Sequence, residues 1–248
     1  MDGTDSEQGR IQLAIDSITQ KIASLGLSLS IERDFGELRD FLNGQGTFAN
    51  PTYDPGTSRL GPVDFWVQLK EPEGRAIACS AERLFEVDDF TCLLAGGGLW
   101  YADGFPGIAA ATPLQVLPLS QRIGGRVGHS GSTWVHPDWR GASLAMLMTW
   151  LTRALSFRNL AAAFNTGIVK DSLYRTSVPS ETYGYSHIEL ALDGYFPPLG
   201  NEERIYLCWI GRAEFAARIA ALPTHRRCPV PLQPGAEPAL AELEFASG

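Results

Sequence analysis

The sequence contains no run of about 18 consecutive apolar residues, the length that a membrane-spanning helix needs. It has no cluster of basic residues either. Its 20 Lys and Arg residues are outnumbered by 28 Asp and Glu residues, and the formal net charge is −8. A protein that binds a nucleic-acid backbone needs a basic face, so the charge balance argues against that class. The N-terminus, MDGTDSEQGR, is polar and acidic where a secretory signal would be basic and then apolar, which predicts a cytoplasmic protein.

Cysteines are few, and none of Cys79, Cys92, Cys208 and Cys228 belongs to a CxxC pair. This spacing supports neither a disulfide framework nor a zinc site, and no metal is predicted. Cys79 and Cys208 lie in strand-like runs, where we expect buried small hydrophobes. The chain also lacks the G-x-G-x-x-G fingerprint of Rossmann dehydrogenases and the G-x-S-x-G elbow of serine hydrolases, so both enzyme classes fit poorly.

The most informative stretch runs from position 131 to position 158. It opens with β-favouring residues at 131–135 and turns at His136-Pro137-Asp138 before a helical pattern begins. In that pattern apolar residues recur at spacings of three and four: Leu144, Leu147, Met148, Leu151 and Leu155. The junction, 140–145, consists mostly of small residues, so its backbone can approach a ligand closely. Free N–H groups at the start of a helix favour an anion such as a pyrophosphate.

This junction resembles the pyrophosphate loop of the GNAT acyltransferase superfamily, (Gln/Arg)-x-x-Gly-x-(Gly/Ala), which follows a strand and a Pro-containing turn. Arg140 fills the first position and Ala145 the last, while Ser143 stands where the family normally has glycine. The surrounding pattern can be read in the family's order from about Leu27 to Ile210. The alternative is a helix that simply follows a strand, with Arg140 solvated at the surface.

The resemblance implies acetyl-CoA or another acyl-CoA as co-substrate and the amine of a small molecule or peptide as acceptor. It implies an acyl-CoA site formed by Trp134, Val135, Arg140, Gly141, Ala142, Ser143, Leu144, Ala145 and Asn165. In the family, the strands before and after this helix splay apart, and the pantetheine arm lies in the gap between them. A homodimer through a sheet edge or the tail is compatible with the sequence.

The order of elements predicts an α/β (α+β) fold, with a GNAT-like mixed, mainly antiparallel twisted sheet and helices on both faces. Residues 1–26 are expected to form an N-terminal helical extension, 27–222 the acyltransferase domain and 223–248 a Pro-rich tail. The segments 63–70 and 75–85 are predicted to pair as a hairpin. A buried strand is expected over 159–165, parallel to the strand at 131–135.

Several segments have less definite patterns. We expect a further strand within 88–100 and a short helix at 170–176, lengthened or broken by an insertion relative to the family. The apolar, glycine-rich segment 101–127 is interpreted as an ordered insertion or as an extended strand-and-turn segment. The connection 194–200 carries aromatics that we expect to be exposed as a lip for the acceptor.

Acyl transfer from a thioester to an amine needs a neutral amine, stabilisation of the oxyanion and a proton for the departing thiolate. The resemblance assigns the proton donor to a tyrosine, and Tyr174 is the first candidate and Tyr183 the second, because Ser180 occupies the family's usual position. His129 is the leading candidate base and Glu82 the next, since both are titratable and lie nearest to where an acceptor would bind. A water-mediated route without a dominant base stays open.

Two other functions remain compatible with the sequence. A GNAT-like module that binds ligands without turnover would account for Ser143 and for the displaced tyrosine. Transfer of a longer acyl chain would use the apolar insertion after Tyr101 as a tunnel.

Overall fold

The computed structural model describes residues 6–107 and 113–219. The strands in this part of the chain are β1 Ser28–Glu32, β2 Phe65–Lys70, β3 Ala76–Val87, β4 Gln115–Val116, β5 Gly125–Val135, β6 Phe164–Lys170, β7 His187–Phe196 and β8 Asn201–Gly211. They form one sheet in the order β1-β2-β3-β5-β6-β8-β7-β4. Every described pair is antiparallel except β5 with β6, so the predicted mixed, mainly antiparallel sheet is confirmed.

Helices cover both faces of this sheet, as predicted. They are α1 Glu7–Ser24, α2 Phe35–Gly44, α3 Phe90–Ala95, α4 Leu144–Asn159, α5 Asp171–Tyr174 and α6 Arg212–Ile219. The helices α1, α4 and α6 pack on one face, and α2 and α3 pack on the other. Single turns of 3-10 helix occur at Pro51–Tyr53 and Pro137–Trp139, and a π-helical turn at Val178–Thr182.

The two faces follow from the alternation of side chains along the strands. On β8, Tyr206, Cys208 and Ile210 contact the core formed with α1, α4 and α6. The intervening Leu207 and Trp209 contact the core formed with α3. Both Cys208 and Cys79 are fully buried, which confirms the prediction for these two thiols.

The long helix α4 is the central element of the first core. All five apolar residues that the sequence spacing assigned to its buried face are at most 8% exposed. Its other side is covered by α1, whose residues Ile11, Ile15, Ile18 and Ile22 are also buried. Burial of each large aliphatic side chain contributes roughly 1.5–3 kcal/mol, so α4 is held firmly against the sheet, mainly on β3 and β5.

Local signals account for the start of α2 and for the first hairpin. The Asp34 carboxylate accepts hydrogen bonds from the amides of Gly36 and Glu37, at 2.8 and 3.3 Å, and thereby caps the helix that begins at Phe35. Strands β2 and β3 pair as an antiparallel hairpin around the turn that follows Lys70, as the sequence predicted.

Two predicted strands were wrong in type or position. Within 88–100 the chain forms α3, because the Asp89 side chain caps the amide of Thr91 at 2.9 Å and Phe90 and Leu94 bury one helical face. The strand expected over 159–165 begins only at Phe164, since α4 continues through Asn159 and a loop follows it. Apolar residues in that loop made it resemble a strand.

Other segments also differ from expectation. The hairpin at 194–200 presents no lip of exposed aromatics, because β7 and β8 extend into it and Phe196 is 2% exposed against Trp100. The helix after β6 is broken, as anticipated, into α5 and the π turn. The described part of 101–127 is ordered, with Phe105 stacked on Trp100 at 5.3 Å between ring centroids. The predicted tail, 223–248, lies outside the described residues.

Candidate active site

The parallel strands β5 and β6 pair over only three residues and then part. The pairs are Val127 with Phe164, Gly128 with Asn165, and His129 with Thr166. Beyond this point β5 stays paired with β3 as far as Val135, while β6 stays paired with β8 as far as Lys170. The two strands therefore open a V-shaped gap in the middle of the sheet, which the family resemblance implied and which no residue pattern could show.

A cavity of about 350 Å³ occupies this gap. It is lined by Leu42, Thr47, Phe48, Asn50, Ser132, Thr133, Trp134, Ile168, Val169, Lys170 and Leu173. The first four belong to α2 and the loop after it, so they wall the cavity from the sheet face opposite α4. Among these lining residues Lys170 carries the only charge, and the cavity is otherwise apolar, hydroxylic or amidic.

A β-bulge shapes the β5 wall of the gap. The register between β3 and β5 shifts between Cys79 and Ala81, so that Ala81 pairs with Gly131 but Cys79 pairs with Trp134. Ser132 lies in the bulge with φ of 47°, in the left-handed region that a non-glycine residue rarely adopts. Such strain is retained where surrounding contacts enforce it, here in the wall of the cavity.

The loop that resembles the pyrophosphate motif lies at the N-terminus of the 16-residue helix α4. Gly141 has φ of +93° and Ser143 has φ of 61°, so the backbone turns sharply twice before Leu144. Among the described residues, Leu147 is the first of the helix to donate its amide within this turn, to the Ser143 carbonyl. The amides of Leu144, Ala145 and Met146 precede it and have no protein acceptor in that part of the chain.

This geometry brings most of the predicted acyl-CoA residues together. Trp134 and Val135 end β5, and the exposed Arg140 and Gly141 lead from it to the helix. Because β5 and β6 are parallel, Lys170 at the end of β6 lies at the same edge of the sheet as this loop. Free helix amides and two cations at one edge provide favourable electrostatics for a phosphate group.

Asn165 is not part of that edge. It is fully buried under α4, where its amide donates to Glu82 Oε1 at 2.8 Å and its carbonyl accepts from Arg153 Nε at 2.8 Å. Ser130 donates to Glu82 Oε2 at 2.5 Å and completes the network. Burial raises the pKa of Glu82 to about 8, against the effect of these hydrogen bonds. Asn165 therefore ties three elements together in the core, and we leave it and Glu82 out of the proposed site.

His129 lies on the opposite face of β5 and is also fully buried. Its ring stacks between Tyr53 and Phe90, its Nδ1 is 2.9 Å from Thr166 Oγ1, and its Nε2 has no partner. Burial, and then the charge of Arg83, lowers the pKa of His129 to about 3. The structure thus places His129 in the core rather than on an acceptor surface, and we assign it no catalytic role.

Tyr174 ends α5, directly after β6, and is 41% exposed. Its ring stacks on that of Tyr206, with 3.7 Å between centroids. The neighbouring Leu173 lines the gap, whereas Tyr174 itself does not. The second candidate, Tyr183, is partly buried against α4, and its carbonyl accepts a hydrogen bond from Arg153.

Sequence reasoning missed Tyr53, which reaches the apex of the gap. Its hydroxyl donates to the carbonyl of His129 at 3.0 Å, and a Cβ on Gly131 would come within 2.7 Å of it. The loop that carries Tyr53 is fixed by Arg83, which donates to the carbonyls of Thr52 and Arg59 and pairs with Asp64 at 3.2 Å. The only sequence signal was the turn at Asn50-Pro51, which says nothing about contacts this distant.

Two further findings concern the described residues alone. Within 6–107 and 113–219, no helix is long and apolar enough to span a membrane. The same ranges contain no group of three or more His, Cys, Asp or Glu side chains placed to hold a metal ion.

No family model and no curated protein matches the chain. Among solved structures, the chain is similar to Arabidopsis thaliana NAA60 in complex with acetyl-CoA, with 8% identity, a TM-score of 0.47, and coverage of 75% of this chain and 99% of that one. It is also similar to the spermidine/spermine N-acetyltransferase SpeG from Vibrio cholerae, with 12% identity, a TM-score of 0.42, and coverage of 79% and 98%. A third similar structure is the ribosomal-protein-S18-alanine N-acetyltransferase from Escherichia coli, with 12% identity, a TM-score of 0.42, and coverage of 75% of this chain and 93% of that one.

The resemblance to the GNAT superfamily rests on the chain's own features. The sheet has one parallel pair, and that pair parts just before a helix with free N-terminal amides. The loop into the helix matches the (Gln/Arg)-x-x-Gly-x-(Gly/Ala) motif at Arg140 and Ala145, with Ser143 in the place of the glycine. By this topology and by its partial match to the motif, the chain resembles the GNAT superfamily and has a GNAT-like fold.

Proposed function

We propose that the chain is an acyl-CoA-dependent N-acyltransferase that transfers an acyl group, acetyl in the simplest case, to an amine of a small molecule or peptide. The observation that carries this proposal is the V-shaped gap between β5 and β6, which opens at the same edge of the sheet as the free amides of α4. A pantetheine arm fits a gap of this kind, and a pyrophosphate fits the helix terminus.

Each part of the gap then has a role. Arg140 and the amides at the start of α4 hold the phosphates, with Lys170 adding positive charge at the same edge. The β5 and β6 walls, including Thr133 and Ile168, enclose the arm. The amine enters from the side of α2 and the loop after it, and attacks the thioester carbonyl directly.

In this proposal, the attacking amine loses its proton without a dedicated general base. The described cavity lining contains no carboxylate, imidazole or phenol. We propose that the amine attacks in its neutral form and passes its proton to water. Tyr174 stays the proposed proton donor to the thiolate, because α5 follows directly on the β6 wall.

Isothermal titration calorimetry with acetyl-CoA and CoA tests the proposed site. Arg140→Ala and Ser143→Glu are expected to weaken binding roughly tenfold or more, since charge-assisted hydrogen bonds contribute about 1.5–3 kcal/mol each. Ser143→Gln is the matched control for bulk without charge. Arg158→Ala removes an arginine from the other end of the same helix and should leave binding unchanged. Absence of binding by the wild-type chain would overturn the proposal.

One observation favours a second function, a module that binds acyl-CoA without turnover. Neither Tyr174 nor His129 lines the cavity. Release of the CoA thiol, followed with acetyl-CoA and a panel of amines, separates the two functions. Tight binding with no release above the hydrolytic background would favour the binding module. The long-chain alternative has less support, because no described residue of 101–127 lines the gap.

A further inference from the structure

The acceptor half of the gap has a composition of its own. It is the wall contributed by the α2 side, formed by Leu42, Thr47, Phe48 and Asn50, together with Trp134 facing them from β5. Phe48 is 55% exposed, an unusual position for a large aromatic side chain, and Phe41 supports Trp134 through an edge-to-face contact at 5.2 Å. The acceptor half therefore offers apolar and aromatic surface with one amide and one hydroxyl.

The acceptor half has no charged side chain, although the chain as a whole is acidic. With a net charge of −8, the protein would attract cationic amines at long range. None of the five side chains of the acceptor half is a carboxylate, and the only charge in the described lining is the positive charge of Lys170 at the phosphate edge. A polyamine or a lysine side chain would leave its extra charges without partners here.

The protonation state of the acceptor nitrogen also argues against a strongly basic amine. A nucleophilic amine must be neutral, and the described lining holds no group that would take its proton at neutral pH. At pH 7 an α-amino group is about 10% neutral, whereas an alkylamine of the lysine type is neutral to less than about 0.1%. A gap whose described lining holds no base therefore suits amines that lose their proton unaided.

On these grounds we infer that the acceptor is a weakly basic amine on an apolar or aromatic body, an arylamine or an α-amino group beside a large apolar side chain, and not a polyamine or a lysine side chain. This inference rests on the proposed function. It identifies Phe48 and Trp134 as the surfaces that receive the apolar body, and Asn50 as a neutral contact at the rim.

A four-amine comparison tests the inference with the purified full chain, acetyl-CoA and detection of the released thiol at pH 7. Phenylalanine amide and 4-ethylaniline are weakly basic, 2-phenylethylamine has a similar ring but is strongly basic, and spermidine is a polycation. We expect kcat/KM for the first two to exceed that for the other two by about tenfold or more. The rate with 2-phenylethylamine should rise about tenfold per pH unit up to pH 9, whereas that with phenylalanine amide should level off.

Variants of the acceptor half test whether its side chains cause the preference for weakly basic amines. Phe48→Ala should raise KM for phenylalanine amide about fivefold or more and leave acetyl-CoA binding unchanged. Leu13→Ala removes an exposed apolar side chain on α1 and is the matched control. Asn50→Asp keeps the oxygen that accepts the Thr52 amide at 3.0 Å and adds one negative charge. It should therefore improve spermidine relative to phenylalanine amide.

The outcomes separate the two proposals. Failure to bind acetyl-CoA would sink the proposed function itself. Binding of acetyl-CoA together with a preference for spermidine or 2-phenylethylamine would overturn the inference about the acceptor alone. Binding with thiol release by none of the four amines would overturn the proposed function in favour of the binding module, and the inference with it. A preference for the weakly basic amines that Phe48→Ala abolishes and Leu13→Ala does not would support it.

Discussion

The hydroxyl of Tyr53 donates to the main-chain carbonyl of His129, 76 residues away, at the last rung where β5 and β6 pair. This bond fixes the loop after α2 to the apex of the gap, and Gly131 supplies the space for the tyrosine ring. The wall of the proposed acceptor half and the opening in the sheet are therefore parts of one rigid arrangement.

Tyr53→Phe should reveal the strength of that connection. The His129 carbonyl would lose a buried donor, so we expect a loss of about 1–3 kcal/mol in the free energy of unfolding, measured by urea denaturation. Tyr195→Phe, at a half-buried tyrosine on β7, is the control and should change stability by less than about 0.5 kcal/mol. Equal effects of the two substitutions would contradict the role assigned to the Tyr53 hydroxyl.

A second prediction concerns the buried ion pair that holds the same loop. Arg83 and Asp64 have side chains only 5% and 2% exposed, and Asp64 also accepts the amides of Gly61 and Leu84. Asp64→Asn would leave a buried guanidinium without its counter-charge, at a cost of about 3–5 kcal/mol in unfolding free energy.

The exposed pair of Arg59 and Asp103 provides the comparison, with side chains 79% and 88% exposed. Asp103→Asn should cost no more than about 1 kcal/mol. If Asp64→Asn were as mild, the buried pair would not be what secures the loop.

The third prediction is a pH dependence of stability from His129. Its folded-state pKa of about 3 lies below the ordinary value of 6.5, so the unfolded chain binds a proton first as the medium is acidified. The contribution of His129 is thus fully present above pH 6.5 and is lost as the pH falls toward 3, by up to about 1.4 kcal/mol per pH unit. His129→Asn keeps a donor for Thr166 and cannot titrate.

Urea denaturation between pH 7 and pH 5 measures this effect before most carboxylates titrate. The wild-type chain should lose stability more steeply than His129→Asn over that interval. Parallel curves for the two proteins would show that His129 is accessible to protons in the folded state, and would restore it as a candidate base.

Features of the fold that depend on neighbouring residues could be predicted from the sequence, whereas features that depend on distant contacts could not. The cap at Asp34, the hairpin turn and the spacing of Leu147 and Leu151 were readable, because each depends on neighbours within a few positions. The position of β6 was misjudged, since Leu160 and Ala162 before Phe164 are buried in a loop rather than in a strand.

Contacts between distant segments determine where the predicted site residues lie. His129 seemed available as a base because nothing in the sequence shows that Tyr53 and Phe90 enclose it. Asn165 was expected beside the acyl-CoA, but its partners Glu82 and Arg153 belong to other elements. The parting of β5 and β6 likewise depends on which neighbour each strand keeps, which no residue pattern records.

The last prediction concerns Ser143, where the chain departs from the family's glycine. Its φ of 61° lies in the left-handed region, which costs a non-glycine residue about 1–2 kcal/mol, while glycine costs about 0.5–1 kcal/mol in chain entropy. Ser143→Gly should therefore raise the unfolding free energy by between zero and about 1.5 kcal/mol. Because the serine side chain makes no capping hydrogen bond, acetyl-CoA affinity should be kept or improved. Ser143→Val, β-branched in the same conformation, should lose both stability and affinity. If Ser143→Gly instead weakened acetyl-CoA binding in calorimetry, the hydroxyl would be a ligand for the phosphates and the serine a functional substitution, not a tolerated one.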